Sequence, residues 1–412
     1  MFAPIPLLLL TLCGIFLYRL YWLFCTLACD MRVGILCTAR IAAKVRRGII
    51  EAGNTVVAIA SRDLFKAQEW ATEAVASGDL PSRPAAFGSY EALLASPDVD
   101  CVYIPLPCML HLEWVTKAAA ARKHVCVEKP AARSAEELLA MLAACREAGV
   151  LFIDGTMFHF HPRMPRFLAA VHDSAAFGEV RSVSAAFSFD GDPAFLAHDI
   201  RTCAALEPLG CLGDLGQYCI RMALEVYQWK VPDSVSATAE LNGEGVPLDV
   251  AATFRYRGGS PRVACVECSF RGALRQRVEV QGERALARMV DFVIPRAPEA
   301  ATFTVEKNPD MNATHDRILG VTTEEVVPAA QGSAGTQGGA HPARGLSQEG
   351  VMWVALREER RPAQWALWAQ RAYATQVCLD ACMASIKRGG AEAAVEGFAR
   401  GSGGPAAWLW GE

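Results

Sequence analysis

The sequence predicts an α/β protein: an N-terminal doubly wound parallel sheet, then an α+β half on a large, mostly antiparallel sheet. Three observations carry this. Between residues 31 and 151, short apolar runs alternate with helical runs, a pattern that implies right-handed crossovers and a parallel sheet. After residue 151 the period of the pattern becomes two, with Gly-rich turns such as "YRGGSPR", as in antiparallel strands with one solvated face. The chain has 412 residues, more than one core ordinarily holds. The expected division is an apolar extension at 1–30, a doubly wound unit at 31–151 and an α+β unit at 152–412.

"MRVGIL" reads as a buried strand and residues 41–52 as the helix after it. "TVVAIA" and "DLFKAQEWATEAVAS" are the next strand and helix, followed by "YEALLAS", the strand "VDCVYIPL", the helix "HLEWVTKAAAARK" and the strand "HVCVEK". "SAEELLAMLAACREAG" is a helix whose Ser134 and Glu137 have the spacing of a capping box. "VLFIDG" closes the series. Beyond it, "VRSVSAAFSF" places Val183, Ala185, Phe187 and Phe189 on one face, and this face is expected to be an exposed partner surface. "SVSATAEL", "VAATFRYR", "RVACVECSF" and "LRQRVEVQG" are further strands. "GDLGQYCIRMALEVY" and residues 362–389 are helices. Residues 328–345, rich in Gly and Ala, read as a mobile surface loop.

Composition excludes several classes. The chain is 52% hydrophobic and 20% charged, with a net charge of −4. Disorder is not its theme, and no basic stripe with interleaved aromatics suggests nucleic acid. Its 15 cysteines are scattered. Cys265 and Cys268 lie three apart in a strand and so on opposite faces, and Cys378 and Cys382 have no partner pair elsewhere. No metal site is expected, since zinc needs four converging ligands.

Residues 5–29 are almost wholly apolar and long enough for a bilayer. Arg19 inside the run is costly there. Basic residues follow the run, which places the body of the protein on the cytoplasmic side. Two readings stand side by side: a signal-anchor helix, or an extension outside the working enzyme, with Met31 just before the first strand. A cleaved signal fits less well, because no basic residue precedes the run.

The first strand-turn-helix, "VGILCTARIA", puts Cys37, Ala39 and Ala42 where a dinucleotide-binding turn carries glycines. The fingerprint itself is absent, but small residues leave room for a pyrophosphate on the helix N-terminus. The second strand ends in Ser61 and Arg62, with Lys66 a turn later. An NAD-preferring site places an Asp or Glu there. A hydroxyl and a guanidinium suit a 2′-phosphate, so NADP is expected ahead of NAD.

"VGILCTARIA", "AIASR", "VYIPLPCMLHLEW" and "RKHVCVEKP", in this order, resemble the glucose–fructose oxidoreductase, inositol dehydrogenase and MocA (Gfo/Idh/MocA) family. "DGTMFHFHPR", "FDGDPAFLAHDIR" and "GCLGDLGQYCIR" are similar to its NADP-dependent dihydrodiol and D-xylose dehydrogenase branch and its plant-type relatives. The resemblance spans residues 32–387. It implies a Rossmann domain and a substrate domain that commonly dimerises through its sheet, hence a homodimer. It also implies a cofactor pocket lined by Cys37, Thr38, Ala39, Ile41, Ser61, Arg62, Lys66, Pro105, Leu106, His111, Glu128, Lys129 and Pro130. Cys108 departs from the usual Thr or Asn. In the family the Glu-Lys-Pro motif closes this pocket, the proline often after a cis peptide, and Lys129 would point at the substrate hydroxyl.

Asp214 and Tyr218, four apart, should share one helix face. A free phenol titrates near 10, too high for a base, and an ammonium beside it lowers that value. The resemblance makes Lys129 that ammonium, Tyr218 the base and Asp214 the residue that orients the substrate hydroxyl. It puts His159 and Arg163 at the mouth of the substrate pocket, and Arg201 beside them. The function implied is an NADP-dependent dehydrogenase taking a hydride from a hydroxyl carbon of a sugar, such as D-xylose, or of a cyclic trans-dihydrodiol. The alternative is a non-catalytic cofactor-binding sensor on the same fold.

Overall fold

The computed structural model describes residues 30–258, 262–296, 301–307, 323–326, 346–358 and 362–396. The apolar run at 5–29 and the insertion at 328–345 lie outside the described residues. Among those described, no helix is long and apolar enough to cross a membrane.

The first half alternates β1 (Arg32–Leu36), α1 (Arg40–Glu51), β2 (Thr55–Ala60), α2 (Leu64–Ala76), β3 (Ala85–Phe87), α3 (Tyr90–Leu94), β4 (Cys101–Ile104), α4 (His111–Ala120), β5 (His124–Val127), α5 (Ala135–Ala148) and β6 (Phe152–Asp154). The six strands pair in parallel in the order β3-β2-β1-β4-β5-β6. Helices cover both faces, so strand residues such as Ile35, Val102, Tyr103 and Val125 are all buried. This is why the strands read as continuous apolar runs. The order reverses between β1 and β4, which opens a crevice at their carboxyl ends. Strand β3, three partly exposed edge residues, is too short to show a period.

Side chains start three of the helices of this half. Asp63 accepts from the Phe65 amide, Ser89 from the Ala92 amide and Ser134 from the Glu137 amide. The capping box at α5 is half formed: Glu137 binds the Arg133 amide and guanidinium.

The second half contains α6 (Arg163–Val171), β7 (Val180–Asp190), α7 (Pro193–His198), α8 (Gln217–Val226), β8 (Ser234–Leu241), β9 (Pro247–Tyr256), β10 (Arg262–Ser269), β11 (Arg271–Gly282), β12 (Ala285–Met289), β13 (Phe303–Lys307), β14 (Thr323–Val326), α9 (Gln348–Glu358), α10 (Pro362–Lys387) and β15 (Ala393–Ala394). Its nine strands run β14-β13-β12-β11-β7-β10-β9-β8-β15. All pairs are antiparallel except β7 with β10.

The period-two reading of β7 holds only as far as Ala185, since Ala186 and Ser188 are buried as well, and the face expected to be exposed is the buried one. Val183, Ala185 and Phe187 are buried, and the Phe187 ring meets Tyr218 of α8. Phe189 packs with Phe195 and Phe270. The bulky row takes the helix side because only there does it lose water. The outer row is Ser182 and Ser184, beside Val263 and Cys265 of β10. Helix α9 returns to the first sheet, where Trp353 sets its ring edge-on to Tyr103 at 6.2 Å. Asp380 of α10 accepts from the Ala135 amide at 2.7 Å.

Candidate active site

At the carboxyl end of β1 the turn carries Cys37 at φ +133°, a region that suits glycine and strains any side chain. The turn therefore keeps a glycine's geometry with a cysteine in it. Helix α1 follows from Ala39 with no side-chain cap and no acidic residue in its first turn, which leaves its positive end open to an anion. Thr38 and Ala39 are partly exposed and Ile41 is exposed. At the end of β2, Ser61 is buried and its hydroxyl accepts from the Asp63 amide at 3.2 Å. Arg62 and Lys66 are exposed. The Tyr90 hydroxyl interacts with both Cys37 and Arg62: burial, then Cys37, push it up to about 12 against the pull of Arg62. Tyr90 thus joins two residues of the expected pocket, a role the sequence reading missed because nothing in "YEALLAS" signals it.

Pro105 and Leu106, after β4, are buried. His111, expected at the cofactor pocket, is fully buried, with Nε2 2.7 Å from the Leu106 carbonyl and Nδ1 3.1 Å from the Ala131 carbonyl. A neutral imidazole donates to one of these carbonyls at a time, and its ring lies between the turn after β4 and the turn after β5.

That second turn holds the Glu-Lys-Pro motif, with Lys129–Pro130 cis. Glu128 accepts from the Tyr103 hydroxyl at 2.6 Å and the Lys129 amide at 3.2 Å. Burial lifts its carboxyl above the usual range despite Lys129 and Tyr103. Pro130 is buried beneath it. The Lys129 ammonium is paired with the Asp214 carboxylate and lies 3.2 Å from the Asp214 carbonyl. Burial works against the charge on Lys129, but Asp214, then Tyr218 and Glu128, outweigh it and raise the lysine. Burial works against the charge on Asp214 too, and Lys129 with Arg201 holds it below its ordinary value. Arg201 Nε is 3.3 Å from the same carboxylate oxygen, and its Nη1 is 3.0 Å from Asp199.

Asp214 and Tyr218 do not share a regular helix. Asp214 lies in a π-helical turn, Leu212–Gly216, that leads directly into α8. Such turns are rare and often functional. Gly213 permits the close approach: a β-carbon there would lie 2.7 Å from Leu209 Cβ and 3.1 Å from Pro130 Cγ. Tyr218 is 4% exposed, with its hydroxyl 3.6 Å from the Met157 sulfur. The Lys129 ammonium is 5.4 Å from the Tyr218 ring centre. Lys129 does lower the phenol's pKa as expected, but burial is larger and the net shift is upward. The resting phenol is neutral.

Of the expected substrate residues, Arg201 is beside Lys129 and Asp214. His159 is neutral, held well below its ordinary value by burial and then by Arg221 and Arg371. Its buried Nδ1 has no hydrogen-bond partner and its ring stacks on Phe160 at 4.1 Å. Arg163 is not at the pocket mouth: it is 0% exposed and paired with Asp291 at 2.6 Å. It fastens α6 to the segment after β12.

Residues 31–156 match the family described as an oxidoreductase family with an NAD-binding Rossmann fold, GFO_IDH_MocA, and residues 166–288 match the GFO/IDH/MocA C-terminal domain. The chain is 36% identical to D-xylose 1-dehydrogenase (NADP(+)) 2 of Haloferax volcanii over 67% of its own length and 81% of that protein. It is 32% identical to trans-1,2-dihydrobenzene-1,2-diol dehydrogenase of Bos taurus over 57% and 66%. Among solved structures it is similar to a 3-ketoreductase from Actinomadura kijaniata in complex with NADP and TDP-benzene. That likeness is at 26% identity with a TM-score of 0.69, over 87% of this chain and 98% of the other.

Proposed function

The chain belongs to the Gfo/Idh/MocA oxidoreductase family, and from this we propose that it is an NADP-dependent dehydrogenase or reductase acting on a hydroxyl carbon of a sugar or a cyclic diol. The observation that carries the proposal is the Lys129–Asp214 ion pair beside Tyr218, where residues of both halves meet. The residues present fit a dinucleotide: a turn of glycine geometry at Cys37, an uncapped α1 N-terminus, and exposed Arg62 at the end of β2. When bound, the nicotinamide supplies the hydride acceptor or donor. The protein supplies the rest. Lys129 orients the reacting oxygen, Asp214 holds Lys129, and Tyr218 exchanges the proton at that oxygen. Arg201 borders the pocket through its contact with Asp214. The neutral phenol is the form that gives a proton to a carbonyl oxygen in reduction, and oxidation needs the phenolate. The test is cofactor turnover with aldopentoses, aldohexoses, trans-dihydrodiols and the matching ketones. No turnover with any class, despite tight dinucleotide binding, would favour a sensor.

Arg62→Ala should weaken NADP by roughly ten- to a hundredfold, the worth of a charge-assisted phosphate contact. NAD should bind nearly as before. Fluorescence titration with both reduced cofactors decides, and equal losses would assign Arg62 to the fold.

The reading includes a homodimer through the outer face of the nine-stranded sheet, where small residues on β7 let a second sheet approach. Light scattering should give two chains, and a strict monomer contradicts it. It also leaves a membrane anchor in residues 5–29 as a proposal, to be tested by whether the full chain partitions into vesicles and one starting at Met31 does not.

A further inference from the structure

The turn after β4, whose Pro105 and Leu106 are expected to face the cofactor, is held from the other half of the protein. The Cys108 amide donates to Glu207 Oε1 at 2.9 Å. The Met109 amide donates to the Leu206 carbonyl at 3.3 Å, and the Cys108 thiol lies 3.6 Å from that same carbonyl. Glu207 sits seven residues before Asp214 on the same segment. That segment therefore carries a catalytic carboxylate at one end and grips the cofactor-side turn at the other. His111 holds the turn from within, and from outside the first sheet the Leu206 carbonyl and the Glu207 carboxyl hold it, of which only Glu207 can change its charge.

We infer that Glu207 is a positioning residue, a latch that fixes the turn at Cys108 for dinucleotide binding and lets it loosen when its carboxyl is protonated. The inference rests on the dinucleotide reading above. A carboxylate accepts an amide hydrogen bond more strongly than a neutral carboxyl does. Burial lifts Glu207 to about 7, against the lowering effect of its bonds to Cys108 and of Lys129, while Asp214 raises it further. The carboxylate, and with it the grip, is therefore present above about pH 7 and lost as pH falls through that value.

The other ionisable groups around it do not titrate there. Lys129 is raised and Asp214 lowered, the Cys108 thiol is raised by burial, and His111 is lowered by burial. Arg133, near Cys108, stays charged.

The full chain carrying Glu207→Ala or Glu207→Gln tests this, with NADPH as the probe. Wild-type dissociation constants should rise on the order of three- to tenfold from about pH 8 to about pH 6. Glu207→Gln keeps an acceptor for the Cys108 amide but cannot ionise, so its constant should lie at the weaker, low-pH level and keep only the smaller pH dependence of the ligand's own 2′-phosphate, which titrates near about 6. Glu207→Ala should be weak at both ends. Without any dinucleotide, protection of the amides across residues 105–111 at about pH 8 should fall furthest in Glu207→Ala, and in Glu207→Gln it should fall to the level of the protonated wild type. Unchanged exchange in Glu207→Ala, or a wild-type pH dependence surviving in Glu207→Gln, overturns the latch. If exchange responds as expected while the wild type binds no dinucleotide, the latch stands and the cofactor reading fails. Should the alanine variant not fold, the pH profile of Glu207→Gln alone decides.

Discussion

Lys129→Met should lower turnover by about 10²–10⁴, the usual worth of an acid–base group and its partner, while dinucleotide binding changes little. Two effects combine. The substrate oxygen loses the ammonium that orients it, and Tyr218 loses the group that most opposes the effect of burial on its hydroxyl. The phenol's pKa, already raised, moves further up. The oxidative direction, which needs Tyr218 to accept a proton, should then require a higher pH than in the wild type. The reductive direction should suffer less from this second effect. Asp214 changes in the same variant: it keeps Arg201 at 3.3 Å but loses its main partner, and its carboxyl rises. Tyr218→Phe removes only the hydroxyl, whose contact is the Met157 sulfur, so packing should survive and turnover should fall by a similar factor. The double variant should cost less than the sum, because the two residues act as one unit. The measurement is the pH–rate profile of the three variants in both directions. Near-normal turnover in Tyr218→Phe, with Asp214→Asn or His159→Gln inactive, would move the proton carrier away from Tyr218.

Much of this site is legible in the sequence. The motif "EKP" and the carboxylate and phenol of "GCLGDLGQYCIR" come together across 85 residues because each lies where a strand or helix ends at the meeting of the two halves. The strands of the first sheet are legible because burial on both faces writes a continuous apolar run. The π-helical turn at Asp214 is not, since its cause is a close approach at Gly213 that appears only once Pro130 is in place. Arg163 and His111 share a feature that sequence hides: it shows a polar side chain and not the partner that buries it. Asp291, 128 residues from Arg163, and the Leu106 and Ala131 carbonyls, 5 and 20 residues from His111, take these groups. The sign of the Tyr218 shift was likewise out of reach. Spacing can place a cation near a phenol but cannot weigh it against burial.

The same limit hides the largest stability effect expected here. Arg221 and Asp154 form a two-point ion pair at 3.0 and 2.7 Å, with side chains 1% and 5% exposed. Their remaining capacity is filled. Thr156 donates to Asp154 at 2.6 Å, Gln217 donates to Thr156 at 2.8 Å, and Arg221 Nε reaches Thr375 at 3.2 Å. The network joins β6 to α8 and α10, so it seats the helix that carries Tyr218. Asp154→Asn leaves a buried guanidinium without its counter-charge and should cost about 3–5 kcal/mol, a large share of the roughly 5–15 kcal/mol that holds an ordinary domain. Arg221→Met strands the carboxylate and should cost a similar amount. Replacing both, as Asp154→Leu with Arg221→Met, removes two desolvated charges together and should recover much of the loss, though the Thr156 hydroxyl would then lack its acceptor. Urea unfolding of the four proteins, read as a double-mutant cycle, measures the coupling. A midpoint shift in Asp154→Asn corresponding to under about 1 kcal/mol would mean that water reaches the pair, and that α8 is held mainly by the packing of Phe158 and Phe187 on Tyr218.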